Sequence, residues 1–262
     1  MAVEHFNNLW INNKSKDIKR QKIYWDQKAD SFNQSTFLKH KHSVKNEVID
    51  YLIKKDAINE NSRILDIGCG VGNYSIEFAK IAKEVVAIDI SPRMLDFARV
   101  NAKKEGLSNV SFNLLSWEDI SLENLDFLKS FDLVFASKCP GINSLETLEK
   151  VTLASKKHCF INNFVEKEEV VLQNLYKEVF KKDMENEYKD SAYFAFSILW
   201  ELGYFPELTY LDFVQEKKYM LEEAINLYTK ELNTKYDIKN PYYIVREYLE
   251  GISDGEFIEE VV

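Results

Sequence analysis

The chain has 262 residues, 45% of them hydrophobic, enough for a large core and too apolar for a disordered segment. A formal charge of −9 argues against a broad phosphate-binding face, and three cysteines without metal-ligand spacing fit a reducing cytoplasm better than a disulfide framework. No apolar run reaches the length of a membrane span, and residues 1–23 lack the apolar centre of a signal peptide. The expectation is a cytoplasmic protein with neither a membrane nor a nucleic acid as partner; the oligomeric state is not readable.

Residues 1–22 are rich in Asn and Lys and have no clear period, which predicts a loosely held arm or a short helix. Tyr24, Trp25, Ala29 and Phe32 then recur at helical spacings, so an aromatic side packs inward. From Val44 to Ile58 an amphipathic helix leads into the first strand. The stretch Arg63 to Ser75 reads R-I-L-D-I-G-C-G-V-G-N-Y-S: a short apolar strand with one acid, Asp66, then Gly68, Gly70 and Gly72, then helical spacing through Tyr74 and Phe78. A second strand, residues 84–88, ends in Asp89, about twenty residues past the loop. Ser91-Pro92 starts a helix with a capping serine and proline at its first position, and Gly106 stops it. Further strands are predicted at Val110–Leu115, Phe131–Ala136 and His158–Phe164, with a helix over Leu145–Ser155. The rhythm then changes. Helices are expected over Glu168–Lys182, Ala192–Gly203, Met220–Leu232 and Tyr242–Leu249, and strands over Leu208–Phe213 and Phe257–Val262.

Strand, glycine loop, helix, second strand and acid thus occur in the order of a βαβ unit that binds a nucleotide-like ligand. The glycine spacing is G-x-G-x-G and not the dinucleotide G-x-G-x-x-G, since Asn73 follows Gly72. With Asp66 two residues before the first glycine, D-I-G-C-G-V-G resembles motif I of the class I S-adenosylmethionine-dependent methyltransferases. That resemblance implies a Rossmann-like α/β fold: a seven-stranded, mostly parallel sheet with helices on both faces and the last strand antiparallel. It divides the chain into an N-terminal helical arm and lid (1–60), a cofactor-binding core (61–165), and a helical insertion with final strands completing the same domain (166–262).

The resemblance also implies roles. Asp89 accepts hydrogen bonds from the cofactor's ribose diol, and Ile90 follows it. Adenine lies near the end of the third strand, where Ser116 stands in place of the family's usual acid; the backbone amide and ring of Trp117 are the expected contacts. The ammonium of the amino-acid tail meets backbone groups at Gly68 and Ser137, supported by Asp66, while Gly70 and Gly72 complete the cradle. The Tyr24-Trp25-Asp26 segment is similar to one that forms part of a lid in small-molecule members of the family, which places Tyr24 at the cofactor. The late aromatics Tyr193, Phe194, Phe196, Trp200, Tyr204, Tyr242 and Tyr243 suit a pocket roof or a core equally. No catalytic residue and no metal ligand set stands out. Cys139 reads as a half-buried turn residue, and His40 and His42 as solvated loop residues. The implied activity is methyl transfer from S-adenosylmethionine to a small-molecule acceptor. A non-catalytic cofactor-binding protein and, more remotely, a nicotinamide-dependent oxidoreductase are the alternatives.

Overall fold

The computed structural model describes residues 2–12, 17–34, 44–185, 189–211, 214, 216–236 and 238–261. His40 and His42 lie outside them. Strands β1 (Arg63–Ile67), β2 (Glu84–Asp89), β3 (Val110–Leu114), β4 (Phe131–Ser137) and β5 (Ser155–Asn162) form one parallel sheet in the order β3-β2-β1-β4-β5. The central strands are continuous apolar runs because both faces of the sheet are covered. Leu65 and Ile67 join the core on one face, with Val86, Ile88, Val134 and Leu148. Ile64 turns to the other face, with Val48, Leu52, Phe78, Leu133 and Phe135. This is the two-residue alternation of a strand read directly in burial.

Helices α3 (Val44–Lys54), α4 (Asn73–Ala79), α5 (Pro92–Lys104) and α6 (Leu145–Ala154) cover the sheet. Ser91 caps α5 as its sequence suggests, accepting from the Met94 amide at 3.1 Å. Strand order reverses between β1 and β4, so the C-terminal tips of these neighbours open the crevice in which such sheets bind ligands.

The N-terminal segment is more than an arm. Helix α1 (Ala2–Asn12) inserts Trp10, 1% exposed, into the same core as Leu65 and Phe131. Helix α2 (Ile18–Phe32) follows, and α8 (Lys189–Glu201) adds Phe194, Ala195 and Ile198 to that core. Residues 1–164 and 190–209 form one compact unit, and residues 165–189 and 210–262 form another. The second unit holds α7 (Val170–Phe180), α9 (Leu221–Tyr236), α10 (Tyr242–Ile252) and the antiparallel pair β6 (Glu216–Met220) and β7 (Phe257–Val261). It has its own core around Leu175, Ile225, Leu232, Val245 and Ile258. Within it the buried Glu260 accepts from the Val171 amide at 3.3 Å and from the Tyr228 hydroxyl.

Two expectations are corrected. Over the described residues there are five parallel strands in one sheet and an antiparallel pair in another, not seven strands together. The strand expected at Leu208–Phe213 is not formed over its described residues: Leu208, Tyr210 and Leu211 lie exposed with no strand beside them. Strand β6 begins at Glu216 instead, where pairing of Tyr219 with Ile258 gives it a face to bury. A β-prone run becomes a strand only where a partner completes its ladder. The aromatic set also divides: Phe194 is core, whereas Tyr193, Trp200, Tyr204 and Tyr243 are exposed. Among the described residues, no helix is long and apolar enough to cross a membrane.

Candidate functional site

The chain leaves β1 through Gly68, Gly70 and Gly72, at φ +71°, +54° and +86°. Left-handed backbone is strained for residues with a Cβ, and two of the three glycines have a second reason to be one. A Cβ on Gly68 would stand 2.7 Å from Cys139 Sγ, so here the loop after β4 presses on bare backbone. A Cβ on Gly72 would stand 3.3 Å from Ala98 Cβ, where α4 packs on α5. At Gly70 the nearest atom is Phe32 Cε1 at 3.5 Å, an ordinary van der Waals contact. Packing therefore explains Gly68 and Gly72, while a Cβ on Gly70 would meet a single side chain at van der Waals distance.

Asp89 ties this loop to β2. Its Oδ2 accepts from the Gly70 amide at 2.9 Å and its Oδ1 from the Ser91 amide at 2.8 Å. Each oxygen keeps a second lone pair for an incoming hydroxyl. Burial pushes the Asp89 carboxyl above its ordinary range, opposed by the Ser91 and Gly70 amides. Ile90 follows at the strand end, half-buried, and the Leu115 amide donates to Asp89 O at 3.1 Å, bringing the end of β3 alongside.

Asp66 is 2% exposed, and its carboxylate takes a 2.5 Å hydrogen bond from Ser75 Oγ, two helical positions into α4. Burial is the main cause raising its pKa to about 7; the Ser75 bond opposes the rise and the nearby Asp89 charge adds to it. This has a pH consequence. A carboxyl whose folded pKa exceeds its unfolded value stabilises the fold most below the unfolded value and loses that contribution as pH rises through about 7. A cationic ligand has the opposite preference, because it favours the ionised form. Affinity for S-adenosylhomocysteine, whose tail carries an ammonium, is expected to be up to about tenfold weaker at pH 6 than at pH 8. Asp66→Asn should flatten that profile in calorimetric titration; an equal pH dependence in Asp66→Asn would place the titrating group elsewhere.

Ser137 ends β4 beside Gly68, since the preceding pair is Ile67 with Ala136. The following loop carries Cys139, whose thiol burial pushes up to about 12, so it rests protonated and is no nucleophile at neutral pH. Ser116 Oγ donates to Glu118 Oε2 at 3.2 Å, and Asn143 Nδ2 reaches Glu118 Oε1 at 3.4 Å. Glu118 therefore braces the chain after β3 against the loop after β4. Sequence reasoning passed it over because an acid in a polar turn carries no pattern of its own. Trp117 corrects an expectation: its ring is 2% exposed in the core, and its indole N–H donates to Thr147 O at 2.9 Å. The ring is committed to packing in the core.

Helix α2 crosses this region. Trp25 and Phe32 pack with Ala29, Val71 and Met94, and Tyr24 stands edge-on to Trp25, ring centroids 5.2 Å apart. The helix has anchors that its sequence did not reveal. Ser91 Oγ donates to Asp26 at 2.5 Å, Arg93 pairs with Asp30 at 2.6 Å, and Asn101 Nδ2 donates to Asn33 at 2.9 Å. Ser91 thus holds Asp89 through its amide and α2 through its hydroxyl.

The corner formed by Gly68–Gly72, Asp66, Asp89 and Ser137 has two carboxylates and a glycine loop that is half-buried at Gly68 and Gly70. It also has a buried acceptor, Asn73 Oδ1, with no partner among the described residues. Such a corner suits a ligand with a diol at one end and an ammonium at the other, which are the features of S-adenosylmethionine. Fold and site together define a Rossmann-like cofactor-binding domain of the methyltransferase kind. A family profile described as a methyltransferase domain matches residues 58–224, more than half of the chain. The chain belongs to this family, among the class I S-adenosylmethionine-dependent methyltransferases.

Individual relatives match only part of the chain. A 23S rRNA (uracil(1939)-C(5))-methyltransferase of Shewanella woodyi is 34% identical over 82 residues, 31% of this chain and 18% of that protein. A magnesium-protoporphyrin O-methyltransferase of Rhodobacter capsulatus is 33% identical over 85 residues, 32% of this chain and 38% of that one. The chain therefore spans well under half the length of either relative. The crystal structure of a candidate methyltransferase from Bacillus halodurans superposes with a TM-score of 0.50 over 82% of this chain and 94% of the other, at 20% identity, a likeness of fold.

Proposed function

We propose that this protein transfers the methyl group of S-adenosylmethionine to a small-molecule acceptor in the cytoplasm. The observation that carries the reading is the Gly70–Asp89 pairing: a left-handed glycine, at φ +54°, hydrogen-bonded at 2.9 Å to a strand-end carboxylate. The cofactor supplies an activated methyl group on a sulfonium; the chain has to hold, align and shield it.

In this reading Asp89 receives the ribose diol, with Ile90 and the Trp117 amide beside the adenine and Ser116 at its edge. Gly68 and Ser137 face the tail ammonium, and Asp66 lends that corner negative charge. Gly70 and Gly72 let the backbone approach the ligand. Tyr24, on α2, closes over the same corner as a lid. No general base is required by an in-line displacement from a sulfonium when the acceptor atom is already nucleophilic.

The acceptor class is not inherited, because the relatives named above act on ribosomal RNA and on a porphyrin. What favours a small molecule is charge. A net charge of −9, with Asp66, Asp89 and Glu118 at or beside the site, argues against a broad face for a nucleic-acid backbone. The test is incubation with S-adenosylmethionine labelled on its methyl group, together with total RNA in one reaction and a metabolite extract in another. Label is expected in the metabolites. Label in RNA would contradict the acceptor class. Cofactor binding without transfer to either would favour the non-catalytic alternative.

A further inference from the structure

Helix α2 carries a polar stripe beside its aromatic one. Asp26, Asp30 and Asn33 recur at the spacing of one helix face, and all three meet residues of α5 or its cap. The three contacts differ in what they hold. The Arg93–Asp30 pair lies at the surface, each side chain 54% exposed, and ties one helix to the other.

Asp26 is half-buried, and its Oδ1 accepts from Ser91 Oγ at 2.5 Å and from the Arg93 amide at 3.4 Å. Ser91 is fully buried, and its hydroxyl already accepts from the Met94 amide as the cap of α5. Capping uses only a lone pair. The buried hydroxyl proton still needs an acceptor, and Asp26 supplies it. The Ser91 amide in turn donates to Asp89 Oδ1 at 2.8 Å, while the Gly70 amide donates to Oδ2 at 2.9 Å. A chain of hydrogen bonds therefore runs from α2 through Ser91 and Asp89 to the glycine loop.

The far end of α2 reaches the same loop. Asn101, 1% exposed, donates through Nδ2 to Asn33 Oδ1 at 2.9 Å and to Val71 O at 3.1 Å. Aromatic packing of Trp25, Ala29 and Phe32 on Val71 and Met94 would hold α2 by itself. It gives no reason for a half-buried acid directed at the residue whose amide orients Asp89.

We infer that Asp26 is a positioning residue of the cofactor site: acting through Ser91, it sets the orientation of the Asp89 carboxylate that receives the ribose diol. Docking of α2 and binding of the cofactor then favour one another. This rests on the proposed function, and it gives a role to the acid of the Tyr24-Trp25-Asp26 segment.

The experiment is calorimetric titration of the full chain with S-adenosylhomocysteine, with ligand-free melting curves alongside, in Asp26→Ala, Asp26→Asn, Asp30→Ala, Asp89→Ala and the double variant Asp26→Ala with Asp89→Ala. Asp26→Ala is expected to bind about 3- to 10-fold more weakly, the range of one net hydrogen bond. Asp26→Asn keeps an oxygen that accepts from Ser91 and should stay within about twofold of wild type. Asp30→Ala loosens α2 without touching Ser91 and should also stay within about twofold. In the Asp89→Ala background the Asp26 substitution should cost nothing more, because the carboxylate it positions is gone. Wild-type affinity in Asp26→Ala, or equal losses in its Asn and Ala variants, would overturn the inference. So would equal weakening by Asp30→Ala, or losses that multiply in the double variant, since either makes Asp26 a helix tether only. A wild-type chain that does not bind S-adenosylhomocysteine would overturn the proposed function and this inference with it. Wild-type binding with an indifferent Asp26→Ala removes the inference alone.

Discussion

A Gly70→Val variant is expected to stay folded and to lose at least about 100-fold in affinity for S-adenosylhomocysteine, equivalent to about 2.8 kcal/mol. The two halves of that expectation come from different observations. Folding survives because the added Cβ meets only Phe32, at 3.5 Å. Stability falls modestly, by about 1–3 kcal/mol, because φ +54° is unfavourable for a β-branched residue. Binding fails, in the proposed reading, because the branched side chain stands where the cofactor would approach the loop backbone. Gly68→Ala provides the contrast: its Cβ would collide with Cys139 at 2.7 Å, so that variant should lose stability first. Melting curves and titrations on both variants separate packing from binding, and full affinity in Gly70→Val would show that the loop does not cradle the ligand.

Asp89→Ala is expected to weaken the same ligand by about 1.5–3 kcal/mol, or roughly 10- to 150-fold, through loss of an ionised acceptor for the ribose hydroxyls. On sequence alone this variant would leave folding nearly untouched, since the side chain ends a strand and faces the ligand. The structure changes that. The carboxylate also holds the Gly70 and Ser91 amides at 2.9 and 2.8 Å, so its removal releases two backbone donors and slackens the loop. A fall in ligand-free stability of about 1–3 kcal/mol is therefore expected alongside the loss of affinity. Asp89→Asn separates the two effects, because an amide oxygen still accepts from one backbone donor. A chain that binds normally without the carboxylate would show that the acid is a loop tether only.

Much of the site was legible because its chemistry is tied to spacing. Glycines at alternate positions, an acid before them and an acid at the end of the next strand can be read by eye, and the structure brings Asp66, Gly68, Gly70, Asp89 and Ser137 to one corner of the sheet. Strands β1, β2 and β4 were equally clear, being apolar runs between turn residues. The illegible parts depended on partners distant in sequence. Trp117 looked like an adenine platform; only the fold shows Thr147 O waiting for its indole N–H. Trp10 sat in a polar, unpatterned segment, and nothing local announces that it reaches the main core. Strand β6 was missed because Glu216, Lys217 and Lys218 read as a solvated run until β7 pairs with them. The docking of α2 rests on Asp26, Asp30 and Asn33 meeting Ser91, Arg93 and Asn101, contacts that helical periodicity does not encode.

The account stands or falls on which cofactor the Gly70–Asp89 corner accepts. Thermal denaturation of the full chain with S-adenosylhomocysteine, NAD and NADP in parallel tests this directly, because a ligand that binds only the native state raises the melting temperature in proportion to its occupancy. A rise with S-adenosylhomocysteine, absent with either nicotinamide cofactor and lost in Gly70→Val, is the predicted result. Stabilisation by NAD or NADP but not by S-adenosylhomocysteine would contradict the assignment.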